Sequence, residues 1–413
     1  MCGGKVVLVG RKHSRISTID NADDADVQWE GVGEGVVMKN WTIVLVVLVS
    51  FLFPLGCGGG GDVVDEGVMF RGNSARTGAF ATEAVEELKG LKWKFKAERA
   101  IASSPAVKAG VVYFGSDDGH LYAVDIRTGR EKWKFKTQMG ISSSPAVQSG
   151  VVYFGSSDKH LYALDAETGQ EKWKFETSKK VSSSPAILNG VVHFGGGDGR
   201  IHALDSLTGE EKWKTNTETS SAISSSPAFY AGVAFYKTMW DVYAVDVATG
   251  QEKWRFKENG AYTDFSGWIL ATPVVFSGTV FFRSADGYIC ALNAETGQEK
   301  WKYNTEKGSG SSPAVADGVL YFGSKDGHLY AVDTLTGKEK WKFQTGGKIF
   351  SSPTVVGGLA YFGSHDTHVY AVDVTTGQKV WKYKTKGSVV SSPAVSSGVV
   401  YFGSKDGNLY AVE

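Results

Sequence analysis

The chain is poor in cysteine, with three among 413 residues, at Cys2, Cys57 and Cys290. Only Cys290 falls in the repeated part of the sequence, residues 91–413, so no disulfide can form within that part. An excess of either charge is also lacking, because 44 basic and 44 acidic side chains cancel. That balance argues against nucleic acid or another polyanion as the main partner. Long apolar runs are missing as well. The one inside Met38–Cys57 spans about 15 residues, short of the roughly 20 that a membrane-crossing helix needs. No GxSxG, HExxH, Walker loop or paired-carboxylate signature stands in a suggestive context. Proline is scarce, with nine in all, but eight of them fall in register.

What the chain does have is one sentence of about 40 residues, repeated. Its cleanest copy runs from Ser143 to Thr177: SSPAVQSGVVYFGSSDKHLYALDAETGQEKWKFET. Four short runs, SSPAV, VVYFGS, HLYALD and EKWKF, are rich in β-branched and aromatic residues and bounded by turn residues, which predicts four strands. Ser149-Gly150 and Asn189-Gly190 sit between first and second strands, Asp118-Gly119 between second and third, and Thr168-Gly169 between third and fourth. Glycine after a polar residue supplies the positive φ of a tight hairpin. One copy is therefore a four-stranded antiparallel meander that must stack on others like itself.

The tryptophans mark the period: Trp93, Trp133, Trp173, Trp213, Trp254, Trp301, Trp341 and Trp381, spaced by 40, 40, 40, 41, 47, 40 and 40 residues. The prolines before the first strands recur with them, at Pro105, Pro145, Pro185, Pro227, Pro273, Pro313, Pro353 and Pro393. A strand's first residue need not donate to the ladder, so proline suits that place. Eight of each predict eight blades, but the first tryptophan precedes the first proline. Ring closure explains the offset: Leu91–Lys96 supplies the outer strand of the blade begun at Ser391, leaving no open end.

The motif AxDxxTGxxxW appears as Ala123-Asp125-Thr128-Gly129-Trp133 and again from Ala163, Ala203, Ala244, Ala331 and Ala371. A seventh copy, from Ala291, has Asn293 in place of the aspartate. The motif resembles the tryptophan-docking motif of the PQQ-like (pyrroloquinoline quinone) repeat, over about residues 91–413. The resemblance implies an all-β fold, an eight-bladed β-propeller of four-stranded antiparallel blades closed by the N-terminal tryptophan strand. It also implies that each tryptophan docks between neighbouring blades. Losing such a buried indole costs roughly 3–5 kcal/mol. The aspartates read as turn-formers that accept N–H bonds from the following TG turn, not as catalytic acids.

Quinoprotein dehydrogenases use related repeats. They are longer, carry an adjacent-cysteine disulfide beside the cofactor, and hold calcium near a catalytic aspartate. This chain has no Cys-Cys pair and no long inserted loops to cover a cofactor. No catalytic, cofactor-binding or metal-binding residue is therefore assigned, and pyrroloquinoline quinone is not expected. The repeat, blade count and anchor also resemble those of propeller lipoproteins of outer-membrane β-barrel assembly, which implies a monomeric scaffold that binds a protein. The same fold serves as a sensor domain, so a small-molecule or glycan ligand is a further alternative.

Ahead of the repeats, residues 1–37 show no periodic pattern and are expected to be a non-native or disordered extension. Met38 opens MKNWTIVLVVLVSFLFPLGC, which resembles a bacterial lipoprotein signal over 38–57, with Met38 as the start and Cys57 as the lipidated residue. Pro54 stands where a leucine is usual, and plain secretion or an uncleaved anchor are the alternatives. The resemblance implies export to the cell envelope, with the lipid as the only membrane contact, on an outer membrane facing the periplasm. Residues 58–90 follow as a glycine-rich tether, Gly58–Gly61, and a lead-in, Met69–Lys89, with one short helix expected at Glu83–Lys89.

Departures from the repeat are the guide to function, because the repeat itself specifies only the fold. They concentrate in the fourth and fifth blades. Met239-Trp240 replaces the Asp-Gly hairpin, the connection from Trp254 to Pro273 is longer by seven residues, and Phe281-Phe282-Arg283 replaces YFG. Strand parity puts second-to-third turns and blade connections on one face, so these anomalies share it. Met239, Trp240, Tyr262, Phe265 and Trp268, with Asp264 and Arg283 as polar contacts, form the candidate binding patch. The alternative is that the insertion packs on itself over the channel mouth. Three further features read as structural. The alternate lysines of the tryptophan strands (Lys132, Lys134, Lys136) guard blade edges, and His120, His160, His328 and His368 shape the hairpin rim. Cys290 replaces a tyrosine in a blade core.

Overall fold

The computed structural model describes residues 6–7, 18–19, 70, 72–73, 76–80, 82–218, 221–258, 271–284, 286–305, 307–308 and 311–413. The chain divides into two compact units, Met1–Asp62 and Val63–Glu413. In the first, the described residues are an antiparallel pairing of Val6–Val7 with Thr18–Ile19. The signal-like segment and Cys57 lie outside the described residues.

The second unit contains eight four-stranded antiparallel sheets, the blades of a propeller. In the first blade the strands are Ala106–Lys108, Val111–Gly115, His120–Asp125 and Glu131–Lys136. The second strand is buried throughout and the fourth is half-buried on one face only. There Lys132, Lys134 and Lys136 point to solvent while Trp133 and Phe135 turn inward. A charged outer row of this kind discourages pairing with a foreign strand. First and second strands meet in two-residue turns such as Ser149-Gly150, at φ 49° and 71°, the type I′ geometry that suits strand twist.

Each tryptophan strand carries one bulge, between Ala123 and Val124 of the first blade's third strand, where Ala123 faces Trp133 and Val124 faces Glu131. The extra residue re-aims the indole toward the next blade. Trp93, Trp133, Trp173, Trp213, Trp254, Trp301 and Trp341 donate through Nε1 to Ile126, Ala166, Ser206, Val247, Ala294, Thr334 and Val374, at 2.9–3.1 Å. Each acceptor follows the motif's Asp or Asn in the neighbouring blade. That Asp builds the turn: Asp125 Oδ1 accepts from the Arg127 and Thr128 N–H groups and from the Thr128 hydroxyl. The Thr128 hydroxyl and N–H hold the Asp125 carboxyl below its ordinary pKa. Gly129 is required because a Cβ there would stand 2.7 Å from the Trp93 ring.

Closure follows the same rules with the far end of the chain. Leu91–Lys96 is the outer strand of the sheet formed by residues 394–396, 399–403 and 408–412. Trp93 faces Ala411, and the bulge recurs between Leu91 and Trp93. The eighth tryptophan, Trp381, donates instead to Val85 of the lead-in, at 2.7 Å. Tyr361 also binds Val85, its hydroxyl accepting from the Val85 N–H at 2.7 Å. The helix expected at Glu83–Lys89 is therefore absent. The segment is irregular, with a bend at Glu87, and the main-chain groups of Val85 are taken by Trp381 and Tyr361 instead of by a helical turn.

The innermost layer is a ring of hydroxyls. The N–H of Ser104 donates to Ser144 Oγ, Ser144 to Ser184, Ser184 to Ser226, Ser226 to Thr272, Thr272 to Ser312, Ser312 to Ser352, Ser352 to Ser392, and Ser392 back to Ser104. All eight bonds measure 2.9–3.2 Å and none is left without a partner at an end. A satisfied ring of buried polar groups specifies the inter-blade register.

Candidate functional site

In six blades the second strand ends in glycine, at positions 115, 155, 195, 323, 363 and 403. A Cβ there would press within 2.1–2.5 Å of an isoleucine or valine from the following blade connection. Blades four and five break the rule with Lys237 and Arg283, both buried. The sequence positions equivalent to the packing isoleucine are Ile269 and Ser309, outside the described residues.

Lys237 is accommodated by a buried ion pair. Its Nζ lies 2.8 Å from Glu258 Oε1, with side chains 2% and 4% exposed, and donates to the carbonyls of Thr238 (2.6 Å) and Met239 (3.2 Å). Burial pulls the Lys237 ammonium below the ordinary lysine pKa, and Glu258 opposes that shift. The Glu258 N–H donates to the Trp240 carbonyl at 2.9 Å, joining the hairpin to the blade connection. This contact places the two elements on one face, as strand parity requires. Asp241, also buried, donates its N–H to Thr238 Oγ1 and accepts from the Tyr243 hydroxyl at 3.3 Å.

Met239 and Trp240 are half-buried in that hairpin, and Arg283 is buried rather than presented at the surface. Tyr262, Asp264, Phe265 and Trp268 lie outside the described residues. Beside the ion pair, Cys290 is buried where five of the other blades carry Tyr122, Tyr162, Tyr330, Tyr370 and Tyr410. Those tyrosines donate to the hairpin aspartate, as Tyr122 does to Asp118 at 3.0 Å. The shorter cysteine leaves a pocket of about 230 Å³ whose lining includes Phe256, Glu258, Ser284, Asp286, Cys290 and Lys302. Burial, and then Glu258, push the Cys290 thiol up to about 12, so it is protonated and unreactive at neutral pH.

The histidines of the hairpin rim bond locally, as His120 Nδ1 does with Asp118 Oδ1 at 3.1 Å. Among the described residues no group of three or more His, Cys, Asp or Glu side chains is arranged to hold a metal ion. Lys237, Glu258 and Asp241 escape a reading from sequence. The signal available was the second-strand glycine, lost at Lys237 as well as at Arg283.

The profile of the family described as outer membrane protein assembly factor BamB matches residues 83–235, 118–284, 241–309 and 286–413. A search of the curated proteins found no match. Among solved structures, BamB from Moraxella catarrhalis superimposes with a TM-score of 0.66 at 21% identity, over 78% of this chain and 99% of that one. A europium-containing methanol dehydrogenase gives 0.71 at 16% identity, over 84% and 97%. The computationally designed Ika8 protein gives 0.66 at 21% identity, over 76% and 96%. At these identities the structural likenesses speak to the propeller fold alone.

Proposed function

The chain belongs to the family of outer membrane protein assembly factor BamB, and from that premise we propose that it is a non-catalytic scaffold of the cell envelope. In this reading it is lipid-anchored through Cys57, faces the periplasm, and binds a protein partner in outer-membrane protein assembly. The observation that carries it is the concentration of departures from the repeat in blades four and five. Met239, Trp240 and the Lys237–Glu258 pair meet there on one face. A buried ion pair is a poor source of stability compared with the glycine packing used by six other blades, so a role beyond stability accounts for it better. Large aromatic side chains in otherwise short, polar connections are of the kind that anchor interfaces.

The reading includes no quinone. The axial channel mouth amounts to about 80 Å³ and is lined by hydroxyls with Phe70 and Phe350. Among the described residues of that lining none is charged, and the neighbouring Arg76 guanidinium is taken by the carbonyls of Phe70, Ser184, Pro185 and Pro227, so the reading includes no step through a quinone.

The test installs a photo-crosslinking residue at the exposed Lys257 in cells and compares the native chain with Trp240→Ala/Trp268→Ala. Lower recovery of a crosslinked protein, with the unfolding midpoint held, supports the binding face. Unchanged crosslinking from a well-folded double variant sinks it. Dye reduction after reconstitution with pyrroloquinoline quinone and calcium would instead favour a dehydrogenase.

A further inference from the structure

The lead-in crosses the propeller axis, and the residue that crosses it is charged. Arg76 is fully buried. Its Nε donates to the Pro227 carbonyl at 2.8 Å, Nη1 to the Phe70 carbonyl, and Nη2 to the carbonyls of Ser184 and Pro185 at 3.4 and 3.3 Å. Ser184, Pro185 and Pro227 head the first strands of blades three and four, directly at the hydroxyl ring. The next residues pair on the other side of the ring. The Thr77 carbonyl accepts from Val315 N–H, the Gly78 carbonyl from Val355 N–H, and Phe80 N–H donates to Val355, in blades six and seven. The segment therefore spans the ring from one pair of blades to the nearly opposite pair.

Two further observations show that Arg76 is held in this position. Its backbone lies in the left-handed region, at φ 60°, a conformation a non-glycine residue keeps only when its surroundings dictate it. A local turn supplies that constraint: Arg76 N–H donates to the Asn73 carbonyl at 3.0 Å, and Asn73 exchanges bonds with Thr77 at 2.7 and 3.1 Å. Burial also draws the guanidinium down to about 9, so it remains charged at neutral pH in a site where carbonyl dipoles meet the charge.

The geometry of the acceptors is selective. Carbonyls stand against all three nitrogens of the fork, on two blades and on Phe70. A planar guanidinium offers five donors in a fixed fork, whereas an ammonium offers a single nitrogen that reaches only one edge of the site. We propose that the axial channel is a guanidinium-binding site, built from the first-strand carbonyls of blades three and four and filled by Arg76 of the protein's own lead-in. The lead-in is thus a tethered ligand, and the ligand class is an alkylguanidinium.

Chemical rescue tests this on the purified full chain. Arg76→Ala removes the fragment that ethylguanidinium replaces, since alanine keeps the Cβ. The variant is expected to unfold at a lower temperature than the native protein. Ethylguanidinium in the millimolar range, far below denaturing concentrations, should restore much of the loss along a saturating curve. Ethylammonium should not, and the native protein should respond to neither. No saturable recovery, or equal recovery with ethylammonium, overturns the proposal. Arg76→Lys keeps the charge without the fork and should fall between the two. If Arg76→Ala does not fold alone, refolding yield with each cation replaces the midpoint, and an Arg76→Lys midpoint equal to the native one refutes the selectivity.

Discussion

Changing Trp93→Ala probes the closure of the ring, because Trp93 belongs to a strand that reaches its sheet from the other end of the chain. The indole is 9% exposed, donates to Ile126 at 2.9 Å and lies 5.8 Å from the Tyr401 ring. Removing a buried tryptophan costs roughly 3–5 kcal/mol in lost burial and cavity formation. An unfolding entropy of about 2.1 cal/mol/K per residue over residues 91–413 gives roughly 0.7 kcal/mol/K, so the midpoint should fall by about 4–7 °C. Trp173→Ala is the internal control, since Trp173 is equally exposed and makes the same bond to Ser206 at 3.1 Å. Differential scanning calorimetry on both variants decides the matter. A Trp93→Ala midpoint equal to the native one, beside a lowered Trp173→Ala midpoint, would refute the closure. A chain starting at Ile101 that melts with the whole domain would do the same.

His193 takes the place of a tyrosine whose hydroxyl, as in Tyr153, reaches the next blade's carbonyl at 3.1 Å. Burial depresses His193 to about 3, against an ordinary value near 6.5. The folded state holds the neutral ring, so this contribution is complete above about 6.5 and is lost as pH falls toward about 3. His193→Tyr should raise the midpoint and flatten its pH dependence in that window. An unchanged midpoint–pH curve would show that His193 does not drive it. Glu258→Ala leaves the Lys237 ammonium buried without its carboxylate, and breaking such a pair costs roughly 3–5 kcal/mol. Lys237→Met/Glu258→Leu should cost less than Glu258→Ala alone in denaturant unfolding, and an equal or greater loss would mean that the pair is not coupled.

The fold was legible because its determinants repeat. A tryptophan and a proline every 40 residues count the blades, and the offset between them identifies the closing strand. The TG glycine was legible as a turn residue, but its second role, making room for the neighbouring indole, appears only when blades stand side by side. The hydroxyl ring lay in plain view in SSP, yet serine beside proline reads as a turn until the inter-blade bonds are seen. The lead-in misled for a different reason. EAVEELK favours a helix by intrinsic propensity, but Trp381 and Tyr361 capture Val85, and tertiary bonding overrides propensity in so short a segment. Arg76 occurs once, and its partners lie as far as 151 residues away, so no periodicity announces it. Lys237 was missed because one cation in an apolar strand gives no hint of a partner at Glu258.

Closure by a strand from the opposite end has a consequence for how the protein is made. Lys92 and Glu413, ion-paired at 2.6 Å, are 321 residues apart. At about 5–20 residues per second, a ribosome takes on the order of 15–60 s between them. Throughout that interval Leu91–Lys96 has been synthesised without the sheet it completes, and Val85 waits for Trp381. Its lysines at 92, 94 and 96 are then a safeguard for the growing chain, discouraging adventitious pairing of an early strand that is among the last to find its place. Until residues 394–412 are made, Leu91–Lys96 has no sheet to join, so closure of the ring is available only to a chain that includes its last blade.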